Sequence, residues 1–595
     1  MADALDLARA FVDEDPDPES RAELQAVVAR AQAGDASALA DLADRFSSGL
    51  TFGTAGLRGK VQGGLARMNR VVVMKACHAL GSWLLARPEL QAAKRGVVVG
   101  FDGRYSSRQF AEDTAAVLAG LGIPAHVFPD PVPTPLCSFA VPHLGTAAGV
   151  MVTASHNPPA DNGYKVYRET GGQILPPVDD EIATLIGMAP AVPQIPRLAP
   201  PDAAARGLRL VAGDDVEAAY LEGLEAQALH PRPGPAGGAG APLRIAYTAM
   251  HGVGNRLLAR AFLRAGFEGV AVVPSQTDPD GAFRTVAFPN PEEKGAMDRA
   301  LALAAEVRAD LVLANDPDAD RLAVAVPVPG GSGATRYRML SGNEIGVLLA
   351  DDALLHAETG GRMKLVATTV VSSTLLSRMA RDRGAAYRET LTGFKWIADA
   401  ALRAEARGEA FVCGYEEALG YTVGPLVRDK DGIGAALRMA ELCRYLAGRG
   451  QTLLDRLDEL LLAHGMSHQV QWSLTLPGAD GRARIAGAMA ALRSTPPERI
   501  GESPVVRTLD AERGEERTPE GTKPSSLPKA DVLVFHAADG ARLIARPSGT
   551  EPKIKFYVEL VGRPRTPAEV ATVRAELERR GQEIRRTLLQ RLALG

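Results

Sequence analysis

The chain has 595 residues, 46% of them hydrophobic and 23% charged, with 67 Lys and Arg against 71 Asp and Glu. That is the composition of an ordinary folded protein, with length for roughly four domains of common size and too much chain for one core. The formal net charge of −4 gives no general attraction to nucleic acid or acidic membranes, so any phosphate must be gripped locally by particular Arg and Lys side chains.

The first residues, Met-Ala-Asp-Ala-Leu-Asp-Leu-Ala, are acidic and alanine-rich, and no signal peptide is expected. No apolar stretch reaches the ~20 residues of a membrane span. Cys77, Cys137, Cys413 and Cys443 are scattered without a C-x-x-C pair, which reads as buried thiols in a reducing compartment, and hence a cytoplasmic protein.

Along the chain, short apolar runs alternate with longer helical patterns. Gly96-Val-Val-Val-Gly, Leu243-Arg-Ile-Ala-Tyr and Leu311-Val-Leu-Ala are each expected to lead through a polar turn into a helix. That alternation implies α/β units with largely parallel strands. Three stretches read as linkers or exposed loops: the proline-rich run from Ala189 to Ala205, the Pro/Gly/Ala run from His230 to Pro242, and the charged run from Glu512 to Lys529, the last as a mobile insertion. The tail from Pro567 to Leu594 reads as one helix with Thr566 as N-cap and Pro567 in its first turn.

Four segments share one grammar, an apolar strand that stops at a loop of small and ionic residues. Ala148-Gly-Val-Met-Val leads into Thr153-Ala-Ser-His-Asn-Pro, and Asp310-Leu-Val-Leu-Ala into Asn315-Asp-Pro-Asp-Ala-Asp-Arg. Ala410-Phe-Val-Cys leads into Gly414-Tyr-Glu-Glu-Ala-Leu-Gly-Tyr, and Ala541-Arg-Leu-Ile-Ala into Arg546-Pro-Ser-Gly-Thr-Glu-Pro-Lys. Ligands of open α/β sheets gather beyond the carboxyl ends of strands. The four loops are therefore expected to converge on one cleft.

Asp316, Asp318 and Asp320 place three carboxylates in five residues, which repel one another unless a cation or several donors sit among them. Oxygen ligands without His or Cys favour Mg²⁺ or a similar ion over zinc. A calcium EF-hand loop begins the same way but fails here, since Arg321 stands at its Gly position and Pro327 at its bidentate Glu position. A solvated acidic turn fits poorly just after a buried strand.

Ser155 is the candidate nucleophile, an alcohol that needs a base or metal to activate it. The Asp cluster would bring Mg²⁺ to its oxygen, and His156 or a nearby Lys would assist. From the octet alone, a turn whose side chains merely cap backbone groups competes equally. A Ser-His-Asp hydrolase is disfavoured because G-x-S-x-G is absent around Ser155. Arg546, Ser548, Gly549, Thr550 and Lys553 form a dense set of phosphate ligands, against the alternative of a surface turn with incidental charge. No nucleotide P-loop is present; Gly53-Thr-Ala-Gly-Leu-Arg-Gly-Lys has the wrong spacing. Glu416 and Glu417 would accept hydrogen bonds from two sugar hydroxyls, although taken alone the pair reads better as a salt-bridged surface turn.

Together these residues resemble the α-D-phosphohexomutase superfamily of phosphoglucomutases and phosphomannomutases, over nearly the whole chain from Phe52-Gly-Thr-Ala-Gly-Leu-Arg-Gly to Arg546-Pro-Ser-Gly-Thr-Glu-Pro. The resemblance implies three related α/β domains and a smaller α+β fourth domain around a central cleft, with boundaries at 1–209, 210–335, 336–465 and 466–595. It makes Ser155 the phosphoserine, which with Asp316, Asp318 and Asp320 holds Mg²⁺. It makes Arg58 and Lys165 catalytic basic residues near the reacting phosphoryl group. Thr392-Gly-Phe-Lys resembles the sugar-distinguishing loop, with Thr392 and Gly393 at the substrate and Lys395 as a second proton-transfer group. Glu416 would bind the sugar, and Arg546, Ser548, Gly549 and Thr550 the non-transferring phosphate. Ala418 stands where many phosphoglucomutases have serine, and Glu-Glu-Ala is more similar to the branch with phosphopentomutases and glucose-1,6-bisphosphate synthases.

The implied activity is an intramolecular phosphotransferase that interconverts sugar 1-phosphate and 6-phosphate, glucose foremost, with a sugar 1,6-bisphosphate as intermediate and activator. A phosphopentomutase or phosphomannomutase would work by the same mechanism; a glucose-1,6-bisphosphate synthase and a non-catalytic sugar-phosphate sensor are the remaining alternatives. A Lys among cations is expected to have a lowered pKa suited to proton transfer. The expected partners are small sugar phosphates, with no nucleic acid and no membrane, in a monomer or dimer.

Overall fold

Continuous apolar runs too short for helices become strands buried on both faces, and they build the frame of this protein. A computed structural model describes residues 2–53, 56–230, 243–329, 335–476, 478–548 and 553–592. It divides into one unit of Met1–Leu340 with Leu419–Gly448, and a second of Ser341–Ala418 with Arg449–Gly595.

The first unit holds two sheets. Strands β1 (Leu57–Lys60), β2 (Val97–Phe101), β3 (Ala125–Val127), β4 (Ala148–Val152), β5 (Asp161–Arg168) and β6 (Arg209–Val211) lie in the order β1-β5-β4-β2-β3-β6. β2, β3, β4 and β6 are parallel, while β5 runs antiparallel to both β4 and β1. Every residue of β2 and β4 is buried. In the second sheet β7 (Ile245–Thr248), β8 (Ala271–Val272), β9 (Leu311–Ala314), β10 (Ala323–Pro329) and β11 (Thr335–Met339) lie in the order β11-β10-β9-β7-β8. β7, β8 and β9 are parallel, and β10 and β11 return antiparallel.

The helix expected after Leu311-Val-Leu-Ala is therefore a strand. Ala323-Val-Ala-Val is apolar and β-branched, and it pairs directly back onto β9; a helix there would carry Pro327 and Pro329 in its interior. The other two runs do lead to helices, Ser107–Gly120 and Gly254–Arg264.

Three N-terminal helices, Ala2–Glu14, Pro18–Gln32 and Ala36–Arg45, add Phe11, Leu24, Val28 and Leu42 to the core under the first sheet. Asp17 and Asp35 start the second and third of them, their side chains accepting from the N–H groups of Glu19 and of Ser37 and Ala38. Buried Arg45 ties the third of them to the second, with Glu23 at 2.6 Å and Asp41 of its own helix at 2.9 Å.

In the second unit β12 (Lys364–Thr369), β13 (Ala386–Thr390) and β14 (Ala410–Glu416) are parallel, in the order β13-β12-β14. Its C-terminal part is an antiparallel sheet around Arg542–Pro547 and Lys553–Gly562, covered by the helices Gly478–Ser494 and Pro567–Arg591. The last helix begins after Thr566 as expected, although the Thr566 side chain makes no capping bond. The two parts share an apolar core of Val370, Leu391, Val534, Ile544 and Tyr557. Through it runs the guanidinium of Arg542, 2.7 Å from Glu559, 3.1 Å from Glu389 and 2.6 Å from the Ser372 carbonyl.

Two expected loops pack instead. Within Ala189–Ala205, Val192, Ile195 and Ala203 are buried, and Pro200–Ala205 is a short helix feeding β6, because apolar residues punctuate the prolines. Glu512–Lys529 is an ordered extension of the C-terminal sheet, with strands Glu515–Thr518 and Gly521–Pro524 paired antiparallel. Glu516 is held by Arg507 and Lys523, each at 3.0 Å, which accounts for its charge. Of the Pro/Gly/Ala run, 231–242 lies outside the described residues. All four cysteines are free thiols. Among the described residues no helix is long and apolar enough to cross a membrane.

Removing Arg542 leaves the buried Glu559 and the half-buried Glu389 without their cation. Arg542→Met should lower the denaturation free energy of the second unit by about 3–5 kcal/mol, read from urea melts. Burial, and then Arg542 and Arg507, push His536 down to about 3. The folded state keeps this ring neutral while the unfolded chain takes up a proton below about pH 6.5. Stability contributed here is complete above pH 6.5 and is lost as pH falls toward 3, so His536→Gln should flatten the decline in urea midpoint between pH 7 and 4.

Candidate active site

β4 ends at Val152, and the chain crosses the loop 153–160 before returning as β5. Within that loop Ser155 adopts φ 51°, a left-handed conformation that costs a non-glycine residue roughly 1–2 kcal/mol. Its N–H donates to Thr153 Oγ1 at 2.8 Å and its carbonyl accepts from Arg104 at 2.6 Å. The result turns the Ser155 hydroxyl, only 1% exposed, toward Asp316, to whose Oδ2 it donates at 2.7 Å. His156 Nδ1 lies 3.2 Å from Ser155 Oγ. Burial, then Arg321 and Arg58, hold His156 well below its usual range, so its ring is neutral.

The second loop leaves the end of β9 and brings Asp316, Asp318 and Asp320 into a fully buried group, with one carboxylate oxygen of each within 4.8 Å of the others. Lys165, on β5, donates to Asp318 Oδ2 and Asp320 Oδ2, both at 2.8 Å. Thr134 donates to Asp318 from both its N–H, to the carbonyl, and its hydroxyl, to Oδ2. Lys430 adds a second cation 3.1 Å from Asp320 and 3.3 Å from Asp429. Burial and the two neighbouring carboxylates push Asp316 well up. Burial acts the same way on Asp318 and Asp320, but both are held down, Asp318 by Lys165 together with Thr134, and Asp320, against the like charge of Asp318, by Lys165, Lys430 and Arg321 together.

Asp318 Oδ1 and Asp320 Oδ1 remain buried without a protein hydrogen-bond partner. Buried anionic oxygens of that kind are costly unless a cation meets them, and an all-oxygen set suits Mg²⁺. The residues therefore fit the expected ion, with the Ser155 oxygen beside them.

Lys165 differs from its expected state. It sits between carboxylates rather than among cations; burial alone would lower its pKa, but Asp318 and Asp320 raise it. Arg58, within β1 and opposite Gly163 of β5, donates to Asn157 Oδ1 at 3.2 Å and so lies against the Ser155 loop. Ser155, His156, Arg58, Lys165 and the three aspartates are thus brought together in the first unit.

The other two loops meet in the second unit. Arg546 donates to Thr392 Oγ1, and the Gly393 N–H donates to Glu416 Oε1 at 2.7 Å. Gly393 has φ 111° and starts the helix Phe394–Glu405, on whose first turn Lys395 is buried. β14 runs on to Glu416, so the loop is shorter than expected and the glutamates are half-buried rather than on an exposed turn. Glu417 accepts from Ser372 at 3.2 Å and Thr369 at 3.3 Å. Burial pushes it up, against its own N–H, Arg546 and Lys555. The Ser548 N–H closes onto the Lys553 carbonyl at 2.7 Å. Gly549 and Thr550 lie outside the described residues.

Several site residues are absent from the sequence reading. Arg104 and Asp102 follow β2 in Phe101-Asp-Gly-Arg-Tyr-Ser-Ser, the same strand-then-ionic-loop grammar that marks the other four segments. Lys430 and Asp429 lie in Arg428-Asp-Lys-Asp, a charge cluster shortly after the strand Gly420–Val423. Thr134 carries no signal beyond its position at the start of a helix.

Comparison with known proteins bears on the whole chain. Family models described as phosphoglucomutase/phosphomannomutase match in order: alpha/beta/alpha domain I over residues 49–190, domain II over 219–330, domain III over 341–462 and the C-terminal domain over 498–579. A probable phosphomannomutase of Haemophilus influenzae is 40% identical over 517 residues, covering 86% of this chain and 96% of that protein. The phosphopentomutase of Mus musculus is 34% identical over 550 residues, covering 87% of this chain and 85% of its own. A solved putative phosphomannomutase from Thermus thermophilus shares the fold, with TM-score 0.61 and 23% identity over 90% of this chain and 99% of that one. With four family domains in sequence order and a 40% identical relative matched over nearly its full length, this chain belongs to the phosphoglucomutase/phosphomannomutase family of sugar-phosphate mutases.

Proposed function

We propose that the protein interconverts the 1-phosphate and 6-phosphate of a hexose, glucose foremost, through phosphorylated Ser155 and a sugar 1,6-bisphosphate that also primes the enzyme. The observation that carries this is the Ser155 hydroxyl 2.7 Å from Asp316, beside two buried carboxylate oxygens without a protein partner. Asp316, Asp318, Asp320 and the Ser155 oxygen would hold Mg²⁺, which when bound draws charge from the phosphoryl oxygens.

Phosphoryl transfer asks chiefly for alignment and charge neutralisation. Phosphorylated Ser155 gives its phosphoryl group to the free hydroxyl of a bound sugar monophosphate: the sugar O–P bond forms, the Oγ–P bond breaks, the hydroxyl proton leaves to a base, and Oγ regains a proton through the His156 ring, which restores the serine hydroxyl. Arg58 supplies positive charge at the carrier loop. Neutral His156, in contact with Oγ, takes the serine proton when the other phosphate returns to Ser155. Lys165 is protonated while it bridges Asp318 and Asp320, so Lys395 is assigned the proton of the sugar hydroxyl. Thr392, Gly393 and Glu416 are assigned to the sugar, and Arg546, Ser548, Gly549 and Thr550 to the phosphate that is not being transferred. Four free thiols fit a reducing, cytoplasmic setting.

A phosphopentomutase is the second reading, favoured by Ala418 in place of a serine and by the 34% identity to the murine phosphopentomutase. Turnover of glucose 1-phosphate, mannose 1-phosphate and ribose 1-phosphate, each with Mg²⁺ and a trace of bisphosphate, separates the two. A lead for glucose supports the first reading, and a lead for ribose replaces it with the second.

Ser155→Ala should lower kcat by at least ~10³-fold while sugar-phosphate affinity, measured by calorimetry, stays within about twofold. Near-normal turnover in clean protein would end the phosphoserine assignment. Asp318→Asn should lower kcat by ~10²-fold or more and shift the Mg²⁺ titration to higher concentration. An unchanged titration would remove the metal assignment.

A further inference from the structure

Beneath the Ser155 loop, one buried side chain grips the backbone on both sides of the nucleophile and touches none of the reacting atoms. Arg104 is 4% exposed. One of its terminal nitrogens donates to the carbonyls of Pro158 and Asp161, both at 2.8 Å, and the other to those of Ser155 and Asn157, both at 2.6 Å. Four carbonyls spread over seven residues are thereby gathered on a single guanidinium, whose planar fork of donors is rigid.

The guanidinium is itself fixed from two sides. Asp102 Oδ2 lies 3.3 Å from its Nε, and Asp102 Oδ1 accepts from the Arg104 N–H at 3.1 Å and from Ser107 at 2.6 Å. Asp102 Oδ2 also accepts from Thr153 Oγ1 at 2.7 Å, and that hydroxyl accepts from the Ser155 N–H. One network therefore grips the Ser155 peptide at both ends. On the other side the ring of Phe283 lies under the guanidinium at 5.0 Å. The approach is close: a Cβ on Gly281 would stand 2.9 Å from the Tyr105 nitrogen, and one on Gly103 2.7 Å from Pro279 Cβ. Phe283 lies in the chain between β8 and β9, the strand that leads into the aspartate loop, so the clamp under Ser155 is packed against the domain that supplies Asp316.

We propose that Arg104, oriented by Asp102 and Phe283, is the positioning residue that holds Ser155 in its left-handed conformation with the hydroxyl aimed at Asp316. This rests on the reading of Ser155 as phosphoryl carrier. Because the interaction is with the backbone beneath the nucleophile, its loss acts on the transfer step and on protection of the phosphoserine, and leaves ground-state sugar binding alone. An ammonium has three donors and no fork, so lysine at this position holds only part of the loop.

The test uses the full chain with Mg²⁺, glucose 1,6-bisphosphate as phosphoryl donor, and glucose 1-phosphate or ribose 1-phosphate, whichever wild type turns over faster. Phosphate on Ser155 is first quantified in wild type; if none is incorporated, the carrier reading fails whatever Arg104 does. With a phosphorylated wild type, Arg104→Ala should lose ~10²-fold in kcat with KM within about twofold. It should hydrolyse its phosphoserine faster in the absence of sugar, and regain part of its kcat in millimolar guanidinium. Arg104→Lys should fall between the two. A kcat within about threefold of wild type, a loss confined to KM, or a folded variant that guanidinium does not help would overturn the proposal. Should Arg104→Ala not fold, Thr153→Val cuts the same network with little change in shape: ~10-fold lower kcat at unchanged KM and melting temperature supports the clamp, and unchanged kcat overturns it.

Discussion

Three carboxylates buried within five residues impose the strongest demand in this protein, and much of the first unit can be understood as the answer to it. At about 4 Å, two like charges repel by about 4 kcal/mol even at an effective dielectric constant near 20. Asp316, Asp318 and Asp320 are at most 1% exposed, so water cannot answer for them. Lys165 does, and it reaches them because β5 runs antiparallel beside β4 and places residue 165 opposite Met151. Thr134 and Lys430 complete the donors on one side. The oxygens that remain without a partner mark where a divalent cation would balance the charge.

The same demand explains where the sheets depart from a parallel plan. The Ser155 loop and the aspartate loop each connect a central parallel strand to an antiparallel return, β4 to β5 and β9 to β10. A helix after either loop would carry the chain away; a returning strand keeps the loop short and brings its far end back beside the near one. Each loop also contains a non-glycine residue in the left-handed region, Ser155 at φ 51° and Ala319 at φ 54°, the kind of strain that persists only where surroundings over-determine it.

The strand-then-loop grammar is legible in the sequence because apolar runs and ionic residues are local signals. It locates Ser155, the aspartates, Glu416 and Arg546, and the family resemblance adds Arg58, Lys165, Thr392, Gly393 and Lys395. What is not legible depends on the direction in which the chain leaves a loop. Ala323-Val-Ala-Val is compatible with several fates until its pairing with β9 is known, and the protonation of Lys165 follows from neighbours more than 150 positions away. Glu512–Lys529 reads as mobile when its charges are taken as solvated, whereas Glu516 is paired to Arg507 and Lys523 on adjacent strands. Arg104 is hidden for a different reason: its partners are carbonyls, which every residue has and no motif displays.

The distance between the Ser155 hydroxyl and the carboxylates is set by backbone packing as much as by charge. A Cβ on Gly252 would stand 2.4 Å from the Cα and carbonyl oxygen of Pro317, and one on Gly254 3.1 Å from Ala319 Cβ. The chain after β7 therefore presses on the aspartate loop at two points, leaving no room for a Cβ at Gly252 and little at Gly254, while the Val253 N–H donates to the Pro317 carbonyl at 2.9 Å. On the opposite side the Thr134 N–H fixes the Asp318 carbonyl at 2.9 Å. Held from both directions, the aspartate loop cannot retreat from its own repulsion by moving outward. The repulsion is met in place, by Lys165 and Lys430 and by the raised pKa of Asp316, and what remains falls on Asp318 Oδ1 and Asp320 Oδ1, where a cation would meet it.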